Sequence, residues 1–230
     1  MSESPTSAPS AHAPAGRVPR QPAYQEDARS YDERTSAFQG YRRAVVEALP
    51  LCPGQVVLDV GCGTGLCHGS LLDKVGPQGR VVGIEESPEM VAVARERIEQ
   101  EGWRNVTVVQ SSAEDAQIAL TADAALFCAV HDILQSQDAL RNVLSKLRPG
   151  AAVAAAGGKW AAPWMVAVNM PVTMLHAPYV RSFDGFQRPW HHLEQLLEDV
   201  HVQELALGSG YILTGQAPPQ TVSDSRPLAE

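Results

Sequence analysis

Carboxylates and glycines in the first half of the chain have the types and spacing of a site for a cationic ligand that carries hydroxyl groups. Asp59 stands just before Gly61, Gly63 and Gly65, and Glu85 follows twenty residues after the last of these glycines. Glycines allow a sharp turn and let a ligand approach the backbone closely. An acid at position 59 would repel a pyrophosphate and attract a cation, whereas a carboxylate at position 85 can accept from both hydroxyls of a ribose.

The glycine spacing distinguishes two classes of ligand. A dinucleotide site has the spacing G-x-G-x-x-G, with a helix N-terminus directed at a pyrophosphate. Residues 61–65 have the spacing G-x-G-x-G, and an acid precedes them. A nicotinamide-dependent oxidoreductase is therefore the disfavoured alternative, and binding of NAD would decide for it.

The segments around these residues predict an α/β fold. Residues 56–60 form a near-continuous apolar run, which is typical of a parallel strand covered on both faces. Ser87 and Pro88 have the types preferred at a helix N-cap and at the first helical position. Further strands are expected at 80–84, 105–110, 124–130, 151–156, 200–205 and 211–214, and helices at 24–49 with a break near Gly40, 66–75, 88–100, 136–147 and 193–198.

Two stretches resemble motifs of the class I S-adenosylmethionine (SAM)-dependent methyltransferases. They are V-V-L-D-V-G-C-G-T-G at 56–65 and G-I-E-E-S-P-E-M at 83–90, and L-R-P-G before the fifth strand resembles the family as well. The layout is most similar to the small-molecule branch related to quinone-biosynthesis methyltransferases. The resemblance implies a Rossmann-like, seven-stranded, mostly parallel sheet with a C-terminal antiparallel hairpin. It also implies SAM as the cofactor and a helical or irregular cap inserted after strand 5.

The resemblance assigns the cofactor contacts residue by residue. Asp59 would stand near the methionyl ammonium, Glu85 would hold the ribose, and Ser112 with Ala113 would contact the adenine. The family commonly has an aspartate where this chain has Ser112, and this departure lends some support to a second alternative, a SAM-binding protein without catalytic activity. The full set of expected cofactor residues is Asp59, Gly61, Cys62, Gly63, Gly65, Glu85, Glu86, Ser112, Ala113 and Cys128.

The expected reaction is an in-line displacement at the methyl carbon by an oxygen, carbon or nitrogen atom of a small hydrophobic or aromatic molecule. His131 follows the fourth strand and has a side-chain pKa near neutrality, so it is the candidate general base. A packing or helix-capping histidine is the alternative. Residues 157–190 hold three of the four tryptophans and predict a substrate cap, although an ordinary helical subdomain is also consistent with them. Expected substrate residues are Tyr31, Arg34, His131, Trp160, Trp164, Tyr179 and Arg181.

Charge, apolar runs and cysteine content indicate which partners and which cellular location to expect. A net charge of -8 disfavours a nucleic-acid substrate, and no apolar run is long enough to span a bilayer. The four cysteines include no C-x-x-C pair, which predicts a reduced, cytoplasmic protein without a metal site. Residues 1–22 and 216–230 are expected to be disordered tails around one methyltransferase domain at 23–215, and a homodimer is possible.

Overall fold

The fold centres on one mostly parallel β-sheet, in a computed structural model that describes residues 28–219. Its strands are β1 (Val56–Val60), β2 (Arg80–Glu85), β3 (Val106–Gln110), β4 (Ala122–Cys128), β5 (Leu147–Gly158), β6 (Glu198–Leu205) and β7 (Gly210–Gln216). Their order across the sheet is β3-β2-β1-β4-β5-β7-β6. Strands β1 to β5 pair in parallel, whereas β7 pairs antiparallel with both β5 and β6. The predicted sheet with its closing hairpin is confirmed.

Helices cover both faces of this sheet. They are α1 (Ala28–Arg34), α2 (Gln39–Ala48), α3 (His68–Val75), α4 (Pro88–Gln100), α5 (His131–Leu134), α6 (Gln137–Leu144), α7 (Val166–His176) and α8 (His191–Glu194). Local sequence sets several of their ends: the Ser87 hydroxyl accepts from the Met90 N–H at the start of α4, as predicted. Ser136 caps α6 in the same way through the Ala139 N–H.

The period-2 alternation of the strands divides the core into two layers. Leu58, Val60 and Phe127 belong to the apolar layer on one face of the sheet, and Val57 and Leu126 belong to the layer on the other. All five side chains are fully buried, because β1 and β4 lie in the middle of the sheet and helices cover both sides. This burial explains why the central strands are continuous apolar runs.

Several predicted boundaries differ from those observed. A 3₁₀ turn at Ser36–Phe38, not Gly40, separates α1 from α2. Strand β5 begins at Leu147 and includes the L-R-P-G stretch that was expected to end a helix. The last helix is His191–Glu194 rather than 193–198.

The C-terminal boundary also lies further along than predicted. Strand β7 reaches Gln216, and Ala217 is buried and donates its N–H to the Ala151 carbonyl at 2.9 Å. Ordered chain therefore passes the expected end of the domain at 215 by two residues. The predicted tail 1–22 and the chain beyond 219 lie outside the described residues.

The topology creates one crevice at the carboxyl ends of the strands. From β1 the chain proceeds to β2 and β3 on one side, and it returns to β4 and β5 on the other. In open α/β sheets, ligands bind where the strand order reverses in this way. The ends of β1 and β4 therefore mark the place to look for a functional site.

Candidate active site

A cavity of about 200 Å³ lies at this reversal point, and we call it the polar cavity. The glycine turn after β1 forms one wall, the end of β2 and the turn after β3 form a second, and residues 128–133 form the third. Every predicted cofactor residue except Gly65 lines it. These are Asp59, Gly61, Cys62, Gly63, Glu85, Glu86, Ser112, Ala113 and Cys128.

The glycine turn is built around positive φ angles. Gly61, Gly63 and Gly65 have φ values of 66°, 56° and 80°, which L side chains adopt only with strain. The N–H groups of Gly61 and Cys62 both donate to the Ile84 carbonyl, at 2.8 and 3.0 Å, so the turn is fixed to β2. Gly65 does not line the cavity, because its role is to make room for the His68 ring beneath the turn.

Gly65→Ala is expected to destabilise the protein more than Gly63→Ala. A Cβ at position 65 would meet the fully buried His68 ring at 2.6 Å, whereas a Cβ at position 63 would meet nothing within 4 Å. Both changes carry the left-handed backbone penalty of roughly 1–3 kcal/mol, and only Gly65→Ala adds a clash with a rigid ring. Urea unfolding of the two variants measures the difference. Equal losses of stability would show that the ring moves aside.

Glu85 is held in a fixed orientation at the end of β2. Its Oε2 accepts from the Gly63 N–H at 3.0 Å, and its Oε1 accepts from the Ser87 N–H at 2.8 Å. Burial raises the pKa of this carboxyl above its usual value, and the two backbone N–H groups oppose that rise. Each oxygen retains a lone pair, so the group can accept from both hydroxyls of a diol.

Asp59 lies deeper in the cavity, beside His68. The two side chains are buried, with 3.4 Å between Asp59 Oδ2 and His68 Nε2, and neither atom has a hydrogen-bond partner among the described residues. Burial lowers the pKa of His68 to about 4, so the imidazole is neutral near pH 7. Burial and then the charge of Glu85 raise the pKa of Asp59 to about 7. Asp59 is thus an uncompensated acid that a cationic group would stabilise.

Ser112, which was predicted to contact the adenine, already has hydrogen-bond partners within its own turn. The Ser112 hydroxyl donates to the Asp115 carboxylate at 2.9 Å and accepts from the Asp115 N–H at 3.2 Å. These two bonds close the local turn. Ser112 therefore lines the cavity through a side chain already engaged within its own turn.

A second cavity, of about 350 Å³, adjoins the first, and we call it the apolar cavity. Ring side chains such as Phe38, Tyr41, Phe186 and Tyr211 line it, and it wraps around the end of β5 at residues 156–158. No aspartate or glutamate is among the described residues that line it. Seven residues line both cavities, namely Tyr31, Arg42, Cys128, Ala129, Val130, His131 and Tyr179.

His131 stands at this shared boundary as the first residue of α5. Its Nε2 lies 3.1 Å from the Asp184 carbonyl, which can only accept a hydrogen bond, so this contact favours the tautomer with the proton on Nε2. Nδ1 then carries the lone pair, and it is buried without a hydrogen-bond partner in the part of the chain that the structure describes. Burial is the main cause that lowers the pKa of His131, which keeps the ring neutral. The ring also packs edge-on against Phe186 at a centroid distance of 5.1 Å.

The predicted substrate residues do not all meet at these cavities. Tyr31 and Tyr179 line both and touch edge to face at 5.8 Å, and Arg181 lines the polar cavity. Trp160 stacks on Phe183 at 5.1 Å and lines neither cavity, so its role is to pack the cap. Trp164, at 82% exposure, and the exposed Arg34 also lie outside both cavities.

Two ion-pair groups fasten the segments above the polar cavity. Asp32 on α1 accepts from the Thr64 hydroxyl at 2.6 Å and pairs with Arg97 on α4, whose Nε donates to the Thr64 carbonyl at 3.0 Å. Across the cavity, Arg181 lies 3.6 Å from Asp132 and 3.8 Å from Glu86. The first group fixes α1 to the glycine turn, and we call α1 the lid helix because of this position.

Comparison with known proteins identifies the class to which this fold and site belong. Residues 51–168 match a family model described as a methyltransferase domain, and the chain belongs to that family. The predicted resemblance to SAM-dependent methyltransferases is confirmed.

Particular relatives show how far the similarity extends. The chain is 34% identical over 93 residues to the aklanonic acid methyltransferase DauC of Streptomyces sp., covering 40% of this chain and 42% of DauC. It is 30% identical over 116 residues to the ubiquinone/menaquinone biosynthesis C-methyltransferase UbiE of Legionella pneumophila, covering 48% and 45%. The matches thus span less than half the length of these curated relatives.

A solved structure shows the same fold. Phosphoethanolamine N-methyltransferase 2 of Haemonchus contortus, in complex with SAM, superposes with a TM-score of 0.67 at 14% identity, covering 89% of this chain and 61% of that chain.

Within residues 28–219, no helix is long and apolar enough to cross a membrane. The same residues contain no group of three or more His, Cys, Asp or Glu side chains arranged to hold a metal ion.

Proposed function

We propose that this chain transfers the methyl group of SAM to an oxygen, carbon or nitrogen atom of a small, hydrophobic or aromatic molecule. The observation that carries the proposal is the shared boundary of the two cavities. SAM would occupy the polar cavity, with its ammonium near Asp59 and its ribose on Glu85. The acceptor would occupy the apolar cavity, so that its nucleophile reaches the methyl group at residues 128–131.

The proposed reaction depends mainly on how the protein positions the acceptor against the methyl group. Bound SAM would supply its own leaving group, the neutral thioether S-adenosylhomocysteine, and the protein would align the acceptor and exclude water. The aromatic lining of the apolar cavity supplies a dry surface against which a flat molecule can pack. The names of DauC and UbiE, which refer to aklanonic acid and to ubiquinone and menaquinone biosynthesis, support a small-molecule acceptor.

His131 is proposed as the general base for an acceptor that must lose a proton. The Nε2 contact with the Asp184 carbonyl would hold the imidazole in place, and the lone pair on Nδ1 would take the proton. Recovering a hydrogen bond at this buried, unpartnered nitrogen would also favour acceptor binding. The ring would therefore serve both as a positioning group and as a base.

His131→Ala is expected to lower turnover by about a hundredfold or more and to change SAM affinity less than about threefold. Turnover is measured as formation of S-adenosylhomocysteine (SAH) with an acceptor found in a screen of aromatic small molecules. His201→Ala, an exposed histidine on β6, is the matched control. Unchanged turnover in His131→Ala would leave His131 as a packing residue.

Titration of the wild-type protein with SAM and SAH tests the proposal as a whole. Binding of both at micromolar concentrations, followed by SAH formation with an acceptor, supports methyl transfer. Binding without turnover on any acceptor supports the non-catalytic alternative, and absence of binding overturns the proposal. A cytoplasmic location, a homodimer and the exclusion of nucleic acids stay predictions from the sequence.

A further inference from the structure

Arg42 is a buried cation at the boundary of the two cavities. Its exposure is 8%, and it comes from α2, beneath the lid helix α1. The guanidinium donates to the Thr35 carbonyl at 2.9 Å, to the Thr35 hydroxyl at 2.7 Å and to the Gln39 amide oxygen at 3.5 Å. These bonds orient the group, and all three acceptors are neutral.

Among residues 28–219, no carboxylate balances the charge of Arg42. No aspartate or glutamate among residues 28–219 lies within salt-bridge distance of it, although the other ion pairs of the site are formed. A guanidinium stays protonated at any pH of interest, and buried charges in proteins are normally paired. The arrangement therefore fits a site whose anion arrives with a ligand.

We expect the anion that pairs with Arg42 to bind in the apolar cavity. Arg42 is the only ionised side chain among its described lining residues near pH 7, because the lining includes no acid and both of its histidines are neutral. Burial lowers the pKa of His176 as it does that of His131. The polar cavity, in contrast, already contains the carboxyl groups of Asp59, Glu85 and Glu86. A single cation in an apolar, ring-lined chamber favours a flat molecule with one negative charge.

We infer that the methyl acceptor is an aromatic carboxylic acid, bound as the anion with its carboxylate on Arg42. This inference rests on the proposed function and narrows its substrate class. A carboxylate matches the planar fork of a guanidinium, and such charge-assisted bonds are stronger than those between neutral groups. The rings of the acceptor would pack against the aromatic lining, and its acid group would lie at the boundary with the cofactor.

Two ligands that differ only by a carboxylate test the inference without knowledge of the natural acceptor. 1-Hydroxy-2-naphthoate and 1-naphthol are titrated into the full-length protein saturated with SAH. The wild-type protein is expected to bind the acid at least about tenfold more tightly than the naphthol. Arg42→Gln should remove this preference, and Arg42→Lys should retain part of it, since the charge remains and the fork is lost.

Affinity for SAH separates this inference from the proposed function. Arg42→Gln is expected to bind SAH within about threefold of wild type. A tenfold or greater loss would mean that Arg42 holds the carboxylate of the cofactor, which overturns the inference and leaves methyl transfer standing. Equal binding of the two naphthalenes to the wild-type protein, or binding of neither, also overturns it, and this result does not depend on whether the variants fold. Failure of the wild-type protein to bind SAH would instead overturn the proposed function.

Discussion

Glu85→Ala is expected to weaken SAM binding more than tenfold, which corresponds to about 1.4 kcal/mol or more. The change removes the proposed acceptor for the two ribose hydroxyls. It also leaves the N–H groups of Gly63 and Ser87 without the carboxylate that now orients them. Loss of charge-assisted bonds from a partly buried group has an effect of this size. Isothermal titration of the variant with SAM and with SAH gives the measurement.

A control must separate the lost contacts from the lost charge. Glu101→Ala removes the same charge from an exposed position after α4, outside both cavities, and should bind SAM as the wild type does. Glu85→Gln tests the geometry, because the amide keeps one acceptor and replaces the other with a donor that faces an N–H group. Wild-type affinity in both Glu85 variants would contradict the assignment of the ribose contact.

Asp59→Asn is expected to weaken SAM binding and, at the same time, to stabilise the protein without ligand above pH 7. Burial and the charge of Glu85 raise the pKa of Asp59 to about 7, well above its value in an unfolded chain. A group with a raised folded-state pKa contributes stability at low pH, and that stability is lost as the pH rises through about 7. At pH 8 the native state therefore contains a buried carboxylate whose Oδ2 has no hydrogen-bond partner among the described residues, and asparagine removes this charge.

Thermal unfolding at two pH values distinguishes this effect from a general change in packing. The rise in Tm of Asp59→Asn over wild type should be larger at pH 8 than at pH 5, where the native wild-type carboxyl is protonated. SAM affinity should move in the opposite direction, because the ammonium loses an anionic partner at pH 8. The same rise at both pH values would show that the stability gain is unrelated to ionisation of Asp59.

The fold and the residues that line the polar cavity were predictable where the signal is local. The glycine turn and the acid before it lie within ten consecutive residues, so their spacing alone fixes what the backbone must do. Glu85 was predictable for a related reason: it ends a short apolar strand that pairs with β1 in register. The carboxyl ends of two paired parallel strands necessarily meet at the same edge of the sheet.

The acceptor side of the site was predicted less well, because its residues come from segments whose relative rotation is not encoded locally. The chain from α1 to α2 was expected to be helical with a break near Gly40, and Arg34 was chosen as the arginine that faces the ligand. The 3₁₀ turn at Ser36–Phe38 changes the helical phase, so Arg42 faces inward and Arg34 faces solvent. Only the packing of α2 on the sheet reveals this exchange.

Aromatic composition was likewise an incomplete guide to the cap. Trp160 and Trp164 are both large and apolar, yet one packs in the Phe183–Phe186 cluster and the other is exposed. Helix α7 contains Pro171 and has no Asp, Glu, Lys or Arg. Its sequence therefore has no charged face from which its orientation could be predicted. The position of His68 under the glycine turn was not predicted, because it depends on the closeness of Gly65 and Gly83 to the ring.

The edge-to-face contact between Tyr31 and Tyr179 joins the lid helix to the segment after α7, above both cavities. A ligand that alters this contact from one cavity alters the walls of the other. Binding of cofactor and of acceptor should therefore be cooperative, and linkage requires the coupling to be reciprocal. If SAH changes the affinity for an acceptor by a given factor, that acceptor must change the affinity for SAH by the same factor.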